Sequence, residues 1–196
     1  MPNWCSCDLT ISGPKADVNR FITTAGGDSK GEPRVLDEEP FLPYPQRFKD
    51  QDAKSRAVAD QREAKIAELI TSGMDKMAAR QSAIERYPFV HDGFNSGGYE
   101  WCATNWGTKW GFCDPVREEV TLITSHGKKA KVIYHFETAW SPPVPLIETM
   151  SKQFPTITFM LRYFEAGMGF TGTIKLKNTR KLHESFSDTY RGRRGG

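Results

Sequence analysis

The stretch that decides the fold is Ala130-Lys131-Val132-Ile133-Tyr134-His135-Phe136, followed by Pro142-Pro143-Val144-Pro145 and then by Ile147, Met150 and Phe154. In its first part Ala130, Val132, Tyr134 and Phe136 alternate with Lys131, Ile133 and His135, the period-two pattern of a strand with one face turned to a core. In its second part prolines open a segment whose apolar residues recur at helical spacing, and proline suits the first turn of a helix because its missing N–H would be unpaired there anyway. Pro155 ends that helix, and Ile157, Phe159, Leu161 and Tyr163 alternate along a further strand. Strand, helix and strand in this order are half of a split βαβ arrangement.

The other half lies upstream. Val120, Leu122 and Ile123 predict a strand, and Gly127-Lys128-Lys129 a turn, which together make a hairpin with the strand at 130–136. Near the N-terminus Cys7, Leu9 and Ile11 alternate with Ser6, Asp8 and Thr10, so residues 5–12 read as a strand. Ser12-Gly13-Pro14 stops it, Val18, Phe21 and Ile22 mark the buried stripe of a helix, and Gly26-Gly27 ends that helix. Downstream, Gly167 and Gly169 turn the chain, and Phe170, Ile174 and Leu176 predict one strand more. The fold class is therefore α+β: a ferredoxin-like split βαβ sheet with an extra C-terminal strand and a helical insertion.

The insertion separates two parts of the core. Residues 1–27 and 99–178 form the ferredoxin-like core, 28–98 a loop followed by a helical hairpin, and 179–196 a flexible basic tail ending in Arg191-Gly192-Arg193-Arg194. The loop at 28–48 is rich in proline and glycine and carries the apolar stretch Phe41-Leu42-Pro43-Tyr44-Pro45. From residue 49 to 87 the period changes. Val58, Ala59, Ile66, Leu69 and Ile70 recur near helical spacing, Gly73 interrupts, and Met74, Met77, Ala78, Ala83, Ile84 and Tyr87 predict a second helix that Pro88 stops. The plain expectation is an accessory layer packed on the core with its charged side in water.

Composition excludes several classes. The chain has 196 residues, 38% hydrophobic and 26% charged, which suits a globular protein. It holds no apolar run of about 18 residues, so no membrane partner is expected. Its first residues lack a basic start and an apolar h-region, so a cytoplasmic location is expected. A net charge of +3 is too small to imply nucleic acid. Cys5 and Cys7 have one residue between them, and Cys102 and Cys113 have ten, which departs from zinc-ligand spacing, and the four histidines supply no pair on one helical turn. No metal and no cofactor are expected.

The tryptophans cluster. Trp101-Cys102-Ala103-Thr104-Asn105-Trp106-Gly107-Thr108-Lys109-Trp110 and Phe136-Glu137-Thr138-Ala139-Trp140-Ser141-Pro142-Pro143 hold four of the five. A Trp buries a large apolar body but must satisfy one N–H donor, so clustered Trp marks a tightly specified seam or a partner surface. Taken with the start Met1-Pro2-Asn3-Trp4-Cys5, with Ser12-Gly13, and with Tyr163-Phe164-Glu165-Ala166-Gly167 before Phe170-Thr171-Gly172, these segments resemble the YubB-type ferredoxin-like family of phage and plasmid proteins. The matches run in order through most of the chain outside 28–90 and the tail. The resemblance implies a ferredoxin-like fold without an iron–sulfur cluster, encoded on a mobile element. It implies no defined activity and supplies no catalytic residues.

Three kinds of function remain to be weighed. Asp8, Glu137 and Glu165 could approach one another across strands and do acid–base or cation work, but no clustered or perturbed set of titratable groups is evident, and an enzyme is not expected. Gly167-Met168-Gly169-Phe170 partly resembles the signature of RNA-recognition sheets, with Met168 and Thr173 where stacking aromatics belong. The third kind is a binding surface. Asn105, Lys109, Trp110 and Phe112 are the candidate partner-binding residues, with Trp101, Trp106 and Trp140 as structural support and no catalytic residue. The expected function is a non-enzymatic accessory protein of a mobile element that binds and inhibits or modulates a host protein, such as a host-defence component. The alternative is a nucleic-acid or nucleotide binder using an aromatic and basic surface. The oligomeric state is left open.

Overall fold

The computed structural model describes residues 3–28, 31–120 and 129–189. In chain order its elements are β1 (Trp4–Pro14), α1 (Lys15–Ala25), α2 (Gln46–Thr71), α3 (Lys76–Arg86), α4 (Tyr99–Asn105), β2 (Cys113–Val120), β3 (Lys129–Ala139), α5 (Val144–Gln153), β4 (Thr158–Glu165), β5 (Phe170–Lys177) and β6 (Arg180–Ser187). The strands form a single six-stranded sheet of order β2-β3-β1-β4-β5-β6, antiparallel throughout. With α1 between β1 and β2 and α5 between β3 and β4, the block β4-β1-β3-β2 is the ferredoxin-like arrangement, and β5 and β6 extend it past β4.

Register follows from the alternation. Cys7 stands opposite Phe136 and Tyr163, Leu9 opposite Tyr134 and Leu161, and Ile11 opposite Val132 and Phe159. A shift of one residue would turn all of these outward, so the apolar set fixes the pairing. The buried face is closed by Val18, Phe21 and Ala25 of α1 and by Leu146, Ile147 and Met150 of α5. Phe21 is the hub: its ring lies 5.3 Å from Phe41, 5.2 Å from Phe154 and 5.6 Å from Phe159, centroid to centroid. Aromatic pairs of this kind add about 0.5–1.5 kcal/mol each beyond the area they bury. Pro143 precedes α5 and Pro145 occupies its first turn, which explains why the proline run starts the helix instead of breaking it.

Two compact units make up the chain: Met1–Pro43 with Glu100–Gly196, and Tyr44–Tyr99. The loop read as part of the insertion therefore divides. Its first half belongs to the sheet unit, because Leu36 and Phe41 are buried there and the Phe41 carbonyl accepts from the Gln153 amide at 2.8 Å. In the second unit α2 and α3 form the helical hairpin. Asp75 caps α3 by accepting from the N–H groups of Met77 and Ala78. Asp52 accepts from the N–H groups of Gly93 and Phe94, tying a π-helical turn at Phe94–Gly98 to α2.

The tail expected from residue 179 is strand over much of its length. β6 pairs with β5 from Thr171 opposite Ser187 to Lys177 opposite Arg180, yet all of its residues are exposed. A strand that buries neither face has no period-two signal, so it reads as a polar tail. The tail's Arg191, Arg193 and Arg194 lie outside the described residues. β2 begins at Cys113, earlier than expected, and a bulge between Cys113 and Val116 interrupts its alternation. The expected strand residues Leu122 and Ile123 and the turn residues Gly127 and Lys128 also lie outside the described residues. Among the described residues no helix is long and apolar enough to cross a membrane.

Candidate functional site

The segment after α4 turns back over the sheet, and its shape is set by close approaches. Gly107 has φ 81°, and a Cβ there would lie 2.4 Å from the Pro145 ring, so only glycine fits. Gly111 packs against the Glu38 carboxylate, where any side chain would collide. Both glycines are thus points of tight contact. Trp106, 4% exposed, donates its indole N–H to the Leu42 carbonyl at 2.9 Å and packs edge-on against half-buried Trp101 at 5.2 Å. Asn105 is occupied locally, its amide donating to the Trp101 carbonyl at 2.8 Å.

The end of β3 is stapled to this segment. The Thr108 hydroxyl donates to the Ala139 carbonyl at 2.8 Å, and the Ser141 hydroxyl to the Gly107 carbonyl at 2.7 Å. Thr138 donates to the Ser141 carbonyl at 2.8 Å, and the Trp140 N–H to the Asn3 carbonyl at 2.9 Å. Held by these bonds, Trp140 adopts φ 73°, a left-handed conformation that a bulky L-residue avoids. Its ring is 44% exposed. Strain of this kind costs about 1–3 kcal/mol and persists only where the surroundings over-determine it.

Three rings and one cation then share a surface. The Lys109 ammonium lies 4.4 Å from the Trp140 centroid and 5.0 Å from that of Trp110. Trp110 in turn meets Trp4 edge-on at 6.3 Å, and Trp4 is 38% exposed. Cation–π contacts are worth about 0.5–1 kcal/mol at exposed sites, enough to order the lysine stem between the rings. The assigned roles change accordingly. Phe112, expected at the partner surface, is fully buried with its ring 4.6 Å from Phe136. Trp140, expected as structural support, is the most exposed ring of the platform. Trp4 belongs to the platform although its sequence position gave no functional signal, because only the pairing of β1 with β3 brings it beside residues 109 and 110.

The sheet face opposite the helices carries a different group. Asp8, opposite His135 in the register, brings a carboxylate oxygen to 2.7 Å from its Nδ1, and Glu118 lies 3.4 Å from Nε2. The hydrogen bond to Asp8 holds His135 above the usual imidazole range, partial burial opposes it, and Glu118 adds to the rise. With both ring nitrogens held by carboxylates, neither is presented to a nucleophile. Of the three carboxylates that could approach one another across strands, Asp8 and Glu137 line a common cleft with His135, and Glu165 does not join them. Glu165 stands opposite Cys5, faces the helices at 1% exposure, and accepts from the N–H groups of Gly167 and Met168. Phe170 pairs with Glu165 and so lies on the helix side too, not on the face from which an RNA-recognition sheet stacks bases. Burial pushes the Cys7 thiol well up, which keeps it protonated and unreactive. Among the described residues all four cysteines are free thiols, and no three His, Cys, Asp or Glu side chains gather as metal ligands do.

Residues 121–192, a span that includes β3 to β6, match a family model described as the ferredoxin-like domain in Api92-like protein. The crystal structure of protein api92 from Yersinia pseudotuberculosis is similar in fold, with a TM-score of 0.52 over 95% of this chain and 98% of that one. The two sequences share 10% identity, a level at which the likeness speaks for the fold alone. No curated protein matches the sequence.

Proposed function

We propose that the chain is a non-enzymatic binding protein that docks a protein partner on the Trp4–Trp110–Lys109–Trp140 platform. The observation that carries this reading is Trp140: a strained backbone, fixed by hydrogen bonds from two other segments, displays a large ring to solvent. The arrangement leaves the ring 44% exposed, and a preorganised aromatic beside a cation is what an interface anchor needs. The resemblance to phage and plasmid proteins supports a host protein, for example a defence component, as the target. The open sheet face is of mixed sign, with Asp8, Glu118 and Glu137 beside Lys131, Arg162 and Lys175, and gives the nucleic-acid alternative no particular support.

The test is comparative capture from nuclease-treated host lysate at two salt concentrations. The wild-type chain should retain a defined protein that Trp140→Gly loses, at an affinity cost of about 2 kcal/mol or more. Retention should change little with salt. Binding that disappears with nuclease, or that weakens steeply with salt, would replace the protein reading with the nucleic-acid one.

A further inference from the structure

Trp4 has a second role: it forms one wall of a cleft of about 450 Å³. Pro33 and Val35 of the 31–42 loop and Pro115 of the β2 bulge supply apolar walls. Two carboxylates, Glu32 and Asp114, border the same space. Arg34 lines it as well, but its guanidinium is already engaged. Nη1 lies 3.4 Å from Glu38, whose side chain is 3% exposed, and Nη2 donates to the Phe112 carbonyl. Glu38 also accepts from the Phe112 N–H at 3.2 Å, so this pair is a matched internal staple. Glu32 and Asp114 form no ion pair among the described residues. The unmatched charge of the cleft is therefore negative. Asp114 sits in the bulge at φ 46°, a conformation that Asp and Asn tolerate, and bulges re-aim side chains away from the regular pleat.

We infer that this cleft receives a basic side chain of the protein partner, arginine before lysine. The inference rests on the platform reading, since Trp4 is common to both. The chemistry selects the occupant. An anion would face two carboxylates. An apolar side chain would strip water from them without pairing them. A basic side chain lays its methylene stem on Pro33, Val35 and Pro115 and brings its charge to the Trp4 ring and the two acids. A guanidinium can stack on the indole and donate to a carboxylate in the same pose, which an ammonium cannot.

The probe is N-acetyl-L-arginine methylamide, titrated into the full chain and followed by NMR. Its neutral isostere N-acetyl-L-citrulline methylamide is the control. The arginine compound should shift the Trp4 indole N–H and the amides of the 113–116 bulge saturably. It should bind at least about five-fold tighter than citrulline, the ratio that one charge-assisted contact gives. The double variant Glu32→Gln, Asp114→Asn keeps size and tolerates the backbone, and should remove that difference. Trp140→Gly should leave it intact. Equal response to both compounds, an unchanged preference in the double variant, or shifts mapping away from the cleft would overturn the inference. If the preference is absent while Trp140→Gly still abolishes capture, the cleft inference fails and the platform reading stands. If the preference is present and Trp140→Gly captures normally, the platform reading fails instead.

Discussion

Trp106 and Trp110 are four residues apart in one segment, and their surroundings could hardly differ more. Trp106 is inside: its N–H is satisfied by a backbone carbonyl and its ring closes against Trp101. Trp110 is half-buried at the surface, ordered by a lysine and by the edge of Trp4, and continues through Lys109 to the strained, exposed Trp140. The first environment is what a fold needs to hold a segment down. The second spends strain and leaves apolar area in water, which folding alone does not reward. The pair separates support from presentation within a few residues.

That separation can be broken most sharply at Trp106. Trp106→Ala should destabilise the sheet unit by about 3–5 kcal/mol, because it removes a buried ring and leaves the Leu42 carbonyl without its donor. A denaturant midpoint measured with unchanged slope is the check. A loss below about 1 kcal/mol would mean that Trp106 is no more structural than its neighbours.

Gly107→Ala should cost less, about 1–2 kcal/mol for the left-handed backbone plus whatever Pro145 must yield. It also ought to loosen the hydrogen bonds linking residues 107 and 108 to 139 and 141. Faster exchange of the Trp140 amide would show the platform to be held from beneath. Unchanged exchange would mean that the Trp140 conformation depends on Asn3 alone.

Trp140→Gly should change stability very little. Glycine releases about 1–3 kcal/mol of backbone strain, against lost cation–π contact of about 0.5–1 kcal/mol and some lost area. A melting temperature equal to or slightly above wild type, together with lost capture, is the expected pairing. A fall as large as that of Trp106→Ala would erase the distinction between the two rings.

Much of this was legible in the sequence. The alternations at 5–12, 130–136 and 157–163 each bury one face, and that is why these strands and the split βαβ order of elements could be read from them. The tryptophan segments announced that something was specified around residue 106. What stayed hidden lacks a local signature. β6 buries neither face, and the β2 bulge scrambles its period. The exposure of Trp140 depends on a φ angle that no residue type signals, since tryptophan is among the least expected there. Phe112 looked like surface because it adjoins Trp110 and Gly111, yet the Arg34–Glu38 staple, contributed from far along the chain, pulls it into the core. Trp4 joins the platform only through strand pairing.

The smallest expected effect is a control lying outside both tryptophan environments. His135 is held above its ordinary range by Asp8 and then Glu118, so the folded state prefers the imidazolium more than the unfolded chain does. The stability it contributes is complete below the unfolded value of about 6.5 and is lost as pH rises through the raised folded value. The side chains are well exposed, His135 at 44% and Asp8 at 49%, so screening by solvent leaves the pair worth about 0.2–1 kcal/mol. Stability measured by denaturant should therefore decline slightly as pH increases above about 6.5, the decline should shrink in high salt, and His135→Gln should remove it. Capture through Trp140 should not follow this titration, because neither Asp8, Glu118 nor His135 touches the platform rings. If partner affinity does track the His135 titration, the partner also covers the open sheet face, and the division between a supporting scaffold and a single presenting corner would have to be redrawn.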